Sequence, residues 1–248
     1  MDLKLKGKRA LVTGGSRGIG LEIARLLAEE GCSVVIASRT EEKLKAAAAQ
    51  VKGAQTLALD LSDEKSIRQG VIGLLNVGSI DIVIVNSGGP PPGFIKDLTL
   101  EQWDFGYRII LRSLVILSEL CLPLMKSHKW GRILSITSTS AVQIIPNLPI
   151  SGTFRSGLSA FVKHAAKEVG VDGILINNLL PGPTATDRLK ELSERSPETV
   201  DKMVKESALK RIAEPAEIAR VAAFLVSGAN TYMTGCDVLV DGGSTTSV

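Results

Sequence analysis

Short apolar runs alternate with longer segments of helical periodicity along nearly the whole chain. The runs are apolar at consecutive positions, which is typical of strands that helices cover on both faces. We predict strands over 9–13, 33–38, 55–60, 82–86, 131–137, 174–180 and 237–241. We predict helices near 18–30, 41–51, 63–76, 100–127, 152–169 and 215–227, and a further helical stretch around 187–208.

This alternation indicates right-handed βαβ units. It predicts an α/β fold of the Rossmann type, with a doubly wound parallel sheet of about seven strands and helices on both faces. Neither an internal repeat nor an interdomain linker interrupts the pattern. A length of 248 residues is enough to bury one large core, so we expect 1–248 to form a single Rossmann domain.

Composition excludes several classes of function. A net charge of only +3, from 29 basic and 26 acidic side chains, gives no indication of a nucleic-acid partner. The longest apolar stretch, 114–125, is interrupted by Glu119 and Pro123 and is too short to span a membrane. We therefore expect a cytoplasmic protein with no membrane and no nucleic-acid partner. The cysteines lack metal-ligand spacing, so we expect no metal site and three buried free thiols: Cys32, Cys121 and Cys236.

A glycine-rich loop, T-G-G-S-R-G-I-G at 13–20, lies between the first predicted strand and the first predicted helix. Bare backbone amides and the positive end of a helix dipole both attract phosphate. Gly14 allows a tight turn, Gly18 lets a pyrophosphate approach the backbone, and Gly20 lets the helix pack closely on the strand. An ordinary strand–helix turn is the alternative, but the context favours dinucleotide binding. The predicted cofactor contacts in this loop are Gly14, Ser16, Arg17, Gly18, Ile19 and Gly20.

The end of the second strand favours one of the two nicotinamide cofactors. NAD-binding proteins of this architecture carry a carboxylate there for the ribose hydroxyls, whereas this chain has Ala37-Ser38-Arg39-Thr40. Arg39 offers a guanidinium group for a 2′-phosphate, and Arg17 offers a second one. The sequence thus predicts NADP(H) as the preferred cofactor, with NAD(H) as the alternative. Two solvated surface arginines are the other interpretation.

Two further segments follow predicted strands at the edge of the sheet where ligands bind. Asp60 and Leu61 follow the third strand, and the carboxylate either accepts from the adenine amino group or caps the next helix. Asn86 ends the fourth strand, and Gly88 beyond it permits close approach to a ribose or simply forms a structural loop. We predict that these four residues contact the cofactor.

Together with three later motifs, these features closely resemble the short-chain dehydrogenase/reductase family, in particular its 3-oxoacyl-carrier-protein reductases. The later motifs are G-R-I-L-S-I-T-S at 131–138, Pro181-Gly182 with Thr186, and T-G-C-D-V-L-V-D-G-G at 234–243. The resemblance extends over about 5–243.

The resemblance implies an NAD(P)(H)-dependent oxidoreductase that acts on a small-molecule carbonyl or alcohol. It adds Pro181, Gly182 and Thr186 to the expected cofactor contacts. It also implies a homotetramer or homodimer, because the relatives build their dimer interface from the helices predicted here at 100–127 and 152–169. Light scattering tests the expected oligomer.

The chain departs from the family pattern at the catalytic site, which in the family consists of Asn, Ser, Tyr and Lys. The serine is present as Ser138. Family spacing places the tyrosine at Ser151, the lysine at Arg155 and the asparagine at Ile110. No Tyr-x-x-x-Lys pair occurs anywhere in the sequence. With serine and arginine at these positions and a Gly-Gly-Pro-Pro-Pro-Gly loop, the chain resembles an offshoot of the family.

These replacements change the chemistry that the site can perform. The hydroxyl of Ser151 is a poor acid near neutral pH, and Arg155 keeps its proton. The two residues are four apart on one predicted helix and share a face. One hypothesis is therefore an oxidoreductase whose Ser138, Ser151 and Arg155 polarise the substrate, with Arg155 stabilising an oxyanion or binding an anionic substrate, and with water as the proton source. The other is a catalytically silent dinucleotide-binding protein, a sensor or an assembly partner.

Two more segments bear on the substrate. The loop G-G-P-P-P-G at 88–93 has a stiff extended backbone, which forms either the wall of a substrate pocket or a rigid turn. The charged stretch 187–208 corresponds in the family to a mobile substrate lid, and a solvated helix pair is the alternative.

Overall fold

The computed structural model describes residues 1–247 and contains one parallel sheet of seven strands. The strands are β1 (Arg9–Thr13), β2 (Ser33–Ser38), β3 (Gln55–Ala58), β4 (Ile82–Asn86), β5 (Gly131–Ile136), β6 (Ile174–Pro181) and β7 (Asp237–Val240). Their order across the sheet is β3-β2-β1-β4-β5-β6-β7. The predicted doubly wound Rossmann-type sheet is confirmed.

Helices cover both faces of this sheet. They are α1 (Gly18–Glu29), α2 (Glu41–Ala48), α3 (Glu64–Leu75), α4 (Leu100–Tyr107), α5 (Ser113–Ser127), α6 (Pro149–Val169), α7 (Asp187–Arg195), α8 (Pro197–Glu206) and α9 (Pro215–Leu225). One apolar core lies between the sheet and α1, α2 and α9, and includes Ile23 and Ile218. A second core lies between the opposite face and α3, α5 and α6, and includes Leu114 and Leu158. The continuous apolar runs are explained by these two cores.

Several predicted bounds were wrong. The helix expected over 100–127 is divided by a π-helical turn at Arg108–Arg112. The helix expected from residue 152 begins at Pro149, since proline is favourable in the first turn of a helix. The stretch 187–208 is two helices, because Pro197 starts a new helix directly after Ser196.

Smaller differences occur at other ends. Helix α2 ends at residue 48 rather than 51, β3 ends at 58 rather than 60, and β7 ends at 240 rather than 241. Such shifts of a few residues reflect fraying at the ends of elements, where hydrogen bonds are lost first.

The cysteine prediction was correct for two residues and wrong for the third. Cys32 and Cys121 are buried free thiols, and burial raises the pKa of each to about 12. Cys236 is only half-buried, because it directly precedes the edge strand β7. No helix in residues 1–247 has the length and apolar character needed to cross a membrane.

The winding of the chain positions the site. After β1 the chain moves outward to β3, and it then returns to form β4 on the other side of β1. At such a switch point the connections leave in opposite directions and open a crevice at the carboxyl ends of the two strands. Thr13 and Asn86 end β1 and β4 and therefore border this crevice.

Candidate active site

The glycine loop is held against the end of β4 by a small hydrogen-bond network. The Thr13 hydroxyl accepts from the Asn86 backbone amide at 2.9 Å, and the Asn86 Nδ2 donates to the Gly14 carbonyl at 3.1 Å. A Cβ at Gly14 would lie 2.4 Å from the Asn86 carbonyl oxygen, and one at Gly20 would lie 2.3 Å from the Gly14 oxygen. Since real side chains do not approach so closely, both positions require glycine.

The N-terminus of α1 is open toward the crevice. Arg17 is its N-cap but makes no side-chain capping bond, and the first turn holds no acidic residue. The first amides of a helix require a partner, which is a capping side chain, water or a ligand. Gly18 has a positive φ of +55°, and a Cβ there would lie 3.2 Å from Thr186. Uncapped amides at a positive helix end fit the phosphates of a dinucleotide.

The other two predicted residues of the loop differ in their surroundings. Ser16 is half-buried in the loop itself. Ile19 is also half-buried and packs against the core of α1, α2 and α9, so its side chain has a structural contact.

The end of β2 presents unpaired polar groups. Arg39 is exposed, and no carboxylate within residues 1–247 lies within 4.0 Å of its guanidinium group. The Ser38 hydroxyl just before it is buried and has no hydrogen-bond partner within the described chain. Arg17, the second predicted phosphate contact, lies 3.6 Å from Asp187 at the start of α7.

At the end of β3, the structure distinguishes the two interpretations of Asp60. The residue that caps α3 is Asp63, whose carboxylate accepts from the Lys65 amide at 3.0 Å. Asp60 instead accepts from the Ser62 amide and hydroxyl at 2.8 and 2.7 Å, both at its Oδ1. The helix-capping interpretation of Asp60 was therefore wrong. Leu61 is half-buried and packs against the core of α3, α5 and α6.

The remaining predicted cofactor residues lie at the same edge of the sheet. Pro181 is buried at the end of β6, and the Gly182 amide donates to the Val240 carbonyl at 3.0 Å. Thr186 directly precedes α7. Gly88 faces open space, since a Cβ there would have no atom within 4 Å.

The three predicted catalytic residues are connected through a fourth, Ser140. Arg155 Nε donates to the Ser151 hydroxyl at 3.1 Å, and the Ser151 and Ser140 hydroxyl oxygens are 3.0 Å apart. The Ser140 backbone amide donates to the Ser138 hydroxyl at 3.2 Å. The Ser138 oxygen thus accepts one bond and keeps its own proton free for another partner. Sequence reasoning missed Ser140, although the Ser-Thr-Ser run after β5 was a signal for it.

Arg155 is a buried cation. Its side chain is 5% exposed, and within residues 1–247 no carboxylate lies within 4.0 Å of it. Nη1 donates to the Ile136 carbonyl at 3.2 Å, while Nη2 has no hydrogen-bond partner in the described chain. Burial lowers the pKa of Arg155 to about 10, and the positive charge of Arg188 adds to this effect. The guanidinium group still carries its charge at neutral pH.

The π-helical turn holds the residue at the family's asparagine position. Ile110 is buried in this turn, and its side chain can neither donate nor accept a hydrogen bond. The Ser113 hydroxyl bridges the backbone carbonyls of Ile109 and Ile110 at 2.9 and 3.4 Å. The Ile110 side chain therefore cannot take part in a proton relay.

The loop 88–93 lies between two segments that border the site. The Gly93 amide donates to the Asn147 carbonyl at 2.8 Å, which joins the loop to the segment before α6. Arg188 from α7 occupies the place of a side chain at Gly89, where a Cβ would lie 1.8 Å from its Nη1. Arg188 is the second residue that sequence reasoning missed. Nothing in the local sequence signals this contact, because it joins segments far apart in the chain.

The switch-point crevice, the glycine loop and the open helix N-terminus define a dinucleotide-binding protein of the Rossmann class. A family model described as enoyl-(acyl carrier protein) reductase matches residues 14–245. The 3-oxoacyl-[acyl-carrier-protein] reductase FabG of Aquifex aeolicus is 32% identical over 249 residues, which covers 98% of this chain and 99% of that protein. The chain belongs to the short-chain dehydrogenase/reductase family, whose members are NAD(P)-dependent oxidoreductases.

Solved structures agree with this assignment. L-sorbose reductase from Gluconobacter frateurii, in complex with NADPH and L-sorbose, superposes with a TM-score of 0.94 at 30% identity and covers 100% of both chains. A 3-oxoacyl (acyl-carrier-protein) reductase from Agrobacterium tumefaciens with NADP bound has a TM-score of 0.90 at 29% identity, covering 97% of this chain and 95% of that one.

Proposed function

We propose that this protein is an NADP(H)-dependent oxidoreductase that acts on a carbonyl or alcohol substrate through Ser138, Ser151 and Arg155. The observation that carries the proposal is Arg155: a buried cation at the candidate site, hydrogen-bonded to Ser151 and with no carboxylate within 4.0 Å in residues 1–247. A charge in that position has the electrostatic role that carbonyl reduction requires, because negative charge develops on the carbonyl oxygen.

The residues of the chain divide the chemistry among them. Bound NADPH supplies the hydride. The Ser138 hydroxyl donates a hydrogen bond to the substrate oxygen, and Arg155 stabilises the negative charge that develops there. Ser151 and Ser140 hold the guanidinium group in place through their hydroxyls. Water supplies the proton, because none of these groups is an acid near neutral pH.

The cofactor preference is inferred from the charges around the crevice. The open end of α1 fits a pyrophosphate, and Arg39, which has no carboxylate partner in the described chain, fits a 2′-phosphate. Asp60 keeps its second carboxylate oxygen for the adenine amino group. NADPH in the sorbose reductase complex supports the same preference.

Removing the charge of Arg39 is expected to reduce the preference for NADPH. Arg39→Ala should raise the Kd of NADPH by about 10- to 100-fold, because one charge-assisted hydrogen bond is lost. The Kd of NADH should change little. Fluorescence titration with both cofactors measures the two values.

Arg220→Ala is the matched control, since Arg220 is an exposed arginine on α9. A cofactor preference that is the same in Arg39→Ala as in the native protein would contradict the assignment of the 2′-phosphate to this residue.

The proposed activity is tested by NADPH oxidation with a panel of ketones and aldehydes. Ser138→Ala should lower kcat/KM by about 10- to 100-fold, because it removes one hydrogen bond to the developing oxyanion. Ser127→Ala is the control, because this exposed serine lies at the end of α5 and its hydroxyl donates to the Leu124 carbonyl at 2.8 Å. The catalytically silent alternative would instead be supported if the protein binds NADPH tightly but reduces no compound of the panel. The matching alcohols, tested with NADP, should then not be oxidised either.

A further inference from the structure

Two guanidinium groups of the candidate site, those of Arg155 and Arg188, have no carboxylate within 4.0 Å in the part of the chain that the structure describes. Arg155 is buried, and its Nη2 has no partner in the described chain. Arg188 makes neither a hydrogen bond nor an ion pair within residues 1–247. The positive charge of Arg188 also contributes to lowering the pKa of Arg155. A buried cation without a counter-ion is unfavourable, a further positive charge adds to that cost, and a ligand that brings an anion offsets both.

Arg188 does not lie at the proposed phosphate site, which is formed by the glycine loop 13–20 and the N-terminus of α1. Its guanidinium group lies over Gly89, beyond the end of β4, rather than over the glycine loop. The acidic residue next to it, Asp187, lies beside Arg17 at 3.6 Å and not beside Arg188. The glycine loop therefore has a basic residue of its own, Arg17. Arg188 lies against Gly89 of the loop 88–93, which is joined to the segment before α6 through Gly93 and Asn147.

The absence of a side chain at Gly89 makes this arrangement possible. A Cβ at that position would lie 1.8 Å from Nη1 and 2.6 Å from the central guanidinium carbon of Arg188. Any other residue in the loop at this point would displace the arginine. The proline run that follows keeps the backbone under Arg188 stiff, so the cation is presented at a defined place.

We infer that the substrate carries an anionic group, a carboxylate or a phosphate, and that Arg188 binds it and selects charged over neutral substrates, while Arg155 faces the reacting carbonyl. This inference rests on the proposed function and specifies its substrate class. A guanidinium fork suits the two oxygens of a carboxylate as well as those of a phosphate. The two sources of the anion are distinguished in the experiment.

The experiment compares pairs of ketones that differ in the anionic group. The carboxylate pair is 4-oxopentanoate and 2,5-hexanedione, and the phosphate pair is dihydroxyacetone phosphate and dihydroxyacetone. Binding of all four to the protein saturated with NADP is measured by calorimetry, and kcat/KM with NADPH is measured separately. We expect the charged member of at least one pair to be preferred by about tenfold or more in both measurements.

Arg188→Gln should abolish this preference and raise the KM of the charged ketone by about tenfold. Arg188→Lys should restore part of the preference. Lys190→Gln is the matched control, since it removes one positive charge from an exposed position of the same helix. Because Arg188 is itself exposed, its replacement should leave the folded structure intact.

Equal binding of charged and neutral ketones by the native protein would overturn the inference. The inference would also be overturned if Arg188→Gln raises the Kd of NADPH but leaves the ratio of the affinities for charged and neutral ketones unchanged. Arg188 would then bind the cofactor phosphate. Calorimetry separates these results from a failure of the proposed function. A charged ketone that binds preferentially but is not reduced would support the anion site and contradict the oxidoreductase.

Discussion

Replacing Arg155 with methionine is expected to lower kcat/KM by about 100- to 1000-fold, the range found when one oxyanion-stabilising group is removed. The loss should fall mainly on kcat, because the guanidinium charge is needed most when the carbonyl oxygen becomes negative. Steady-state NADPH oxidation with the best ketone of the panel gives both parameters.

The same substitution should leave the thermal midpoint unchanged or raise it. A buried cation without a carboxylate costs several kcal/mol, whereas the Ile136 carbonyl left without its Arg155 donor costs about 1–3 kcal/mol. Ser151 keeps its contact with Ser140. When a residue serves function and lowers stability, its replacement removes activity and leaves the stability of the fold intact.

Arg155→Lys is the control, because it keeps a charge while losing the guanidinium fork, and we expect it to retain more activity than the methionine variant. A marked fall in the thermal midpoint of Arg155→Met, together with a parallel loss of NADPH affinity, would show that Arg155 has a structural role instead.

Placing a single methyl group on Gly20 is expected to weaken NADPH binding by more than about 100-fold, since several backbone contacts of the phosphates depend on this loop. The new Cβ would lie 2.3 Å from the Gly14 carbonyl oxygen and 2.7 Å from Asn86 Nδ2. Neither can move freely, because Asn86 itself holds Gly14 through a hydrogen bond. Gly20→Ala should therefore displace the whole loop. Fluorescence titration with NADPH measures the loss.

Gly73→Ala is the matched control for this change. Gly73 also lies in a helix, α3, but a Cβ there has no atom within 4 Å. Alanine should stabilise this helix by about 0.5–1 kcal/mol and leave NADPH affinity unchanged. If folded Gly20→Ala, checked by circular dichroism, binds NADPH within a few-fold of the native protein, the loop does not form the proposed phosphate site.

The sequence alone was sufficient for the sheet, because the five central strands are buried on both faces and therefore largely apolar at consecutive positions, while the edge strands β3 and β7 are more exposed. It was not sufficient for the π-helical turn, which interrupts a segment of continuous helical periodicity. The solvated helix pair considered for 187–208 agrees with the two helices there, but the sequence analysis did not place the break between them at Pro197.

The contacts of the candidate site show the same division. Ser138, Ser151 and Arg155 were identified through the family resemblance, which places the family's serine, tyrosine and lysine at these positions. Ser140 was missed because its role depends on a hydroxyl of α6 approaching to 3.0 Å. Arg188 was missed because its position depends on Gly89, which lies in a distant segment and offers it empty space. Tertiary packing determines both contacts.

If Arg17 binds a cofactor phosphate as we propose, its pairing with Asp187 connects cofactor binding to the position of α7. Both side chains are more than half exposed, so their attraction contributes at most about 1 kcal/mol and weakens with added salt. Neither α7 nor α8 has a buried residue. A phosphate that takes Arg17 competes with Asp187 for it, and by reciprocity the docking of α7 opposes that phosphate to the same extent. Ionic strength therefore acts both on the ion pair of Arg17 with Asp187 and on the binding of a phosphate by Arg17. The cofactor affinity would then include the free energy of breaking this ion pair.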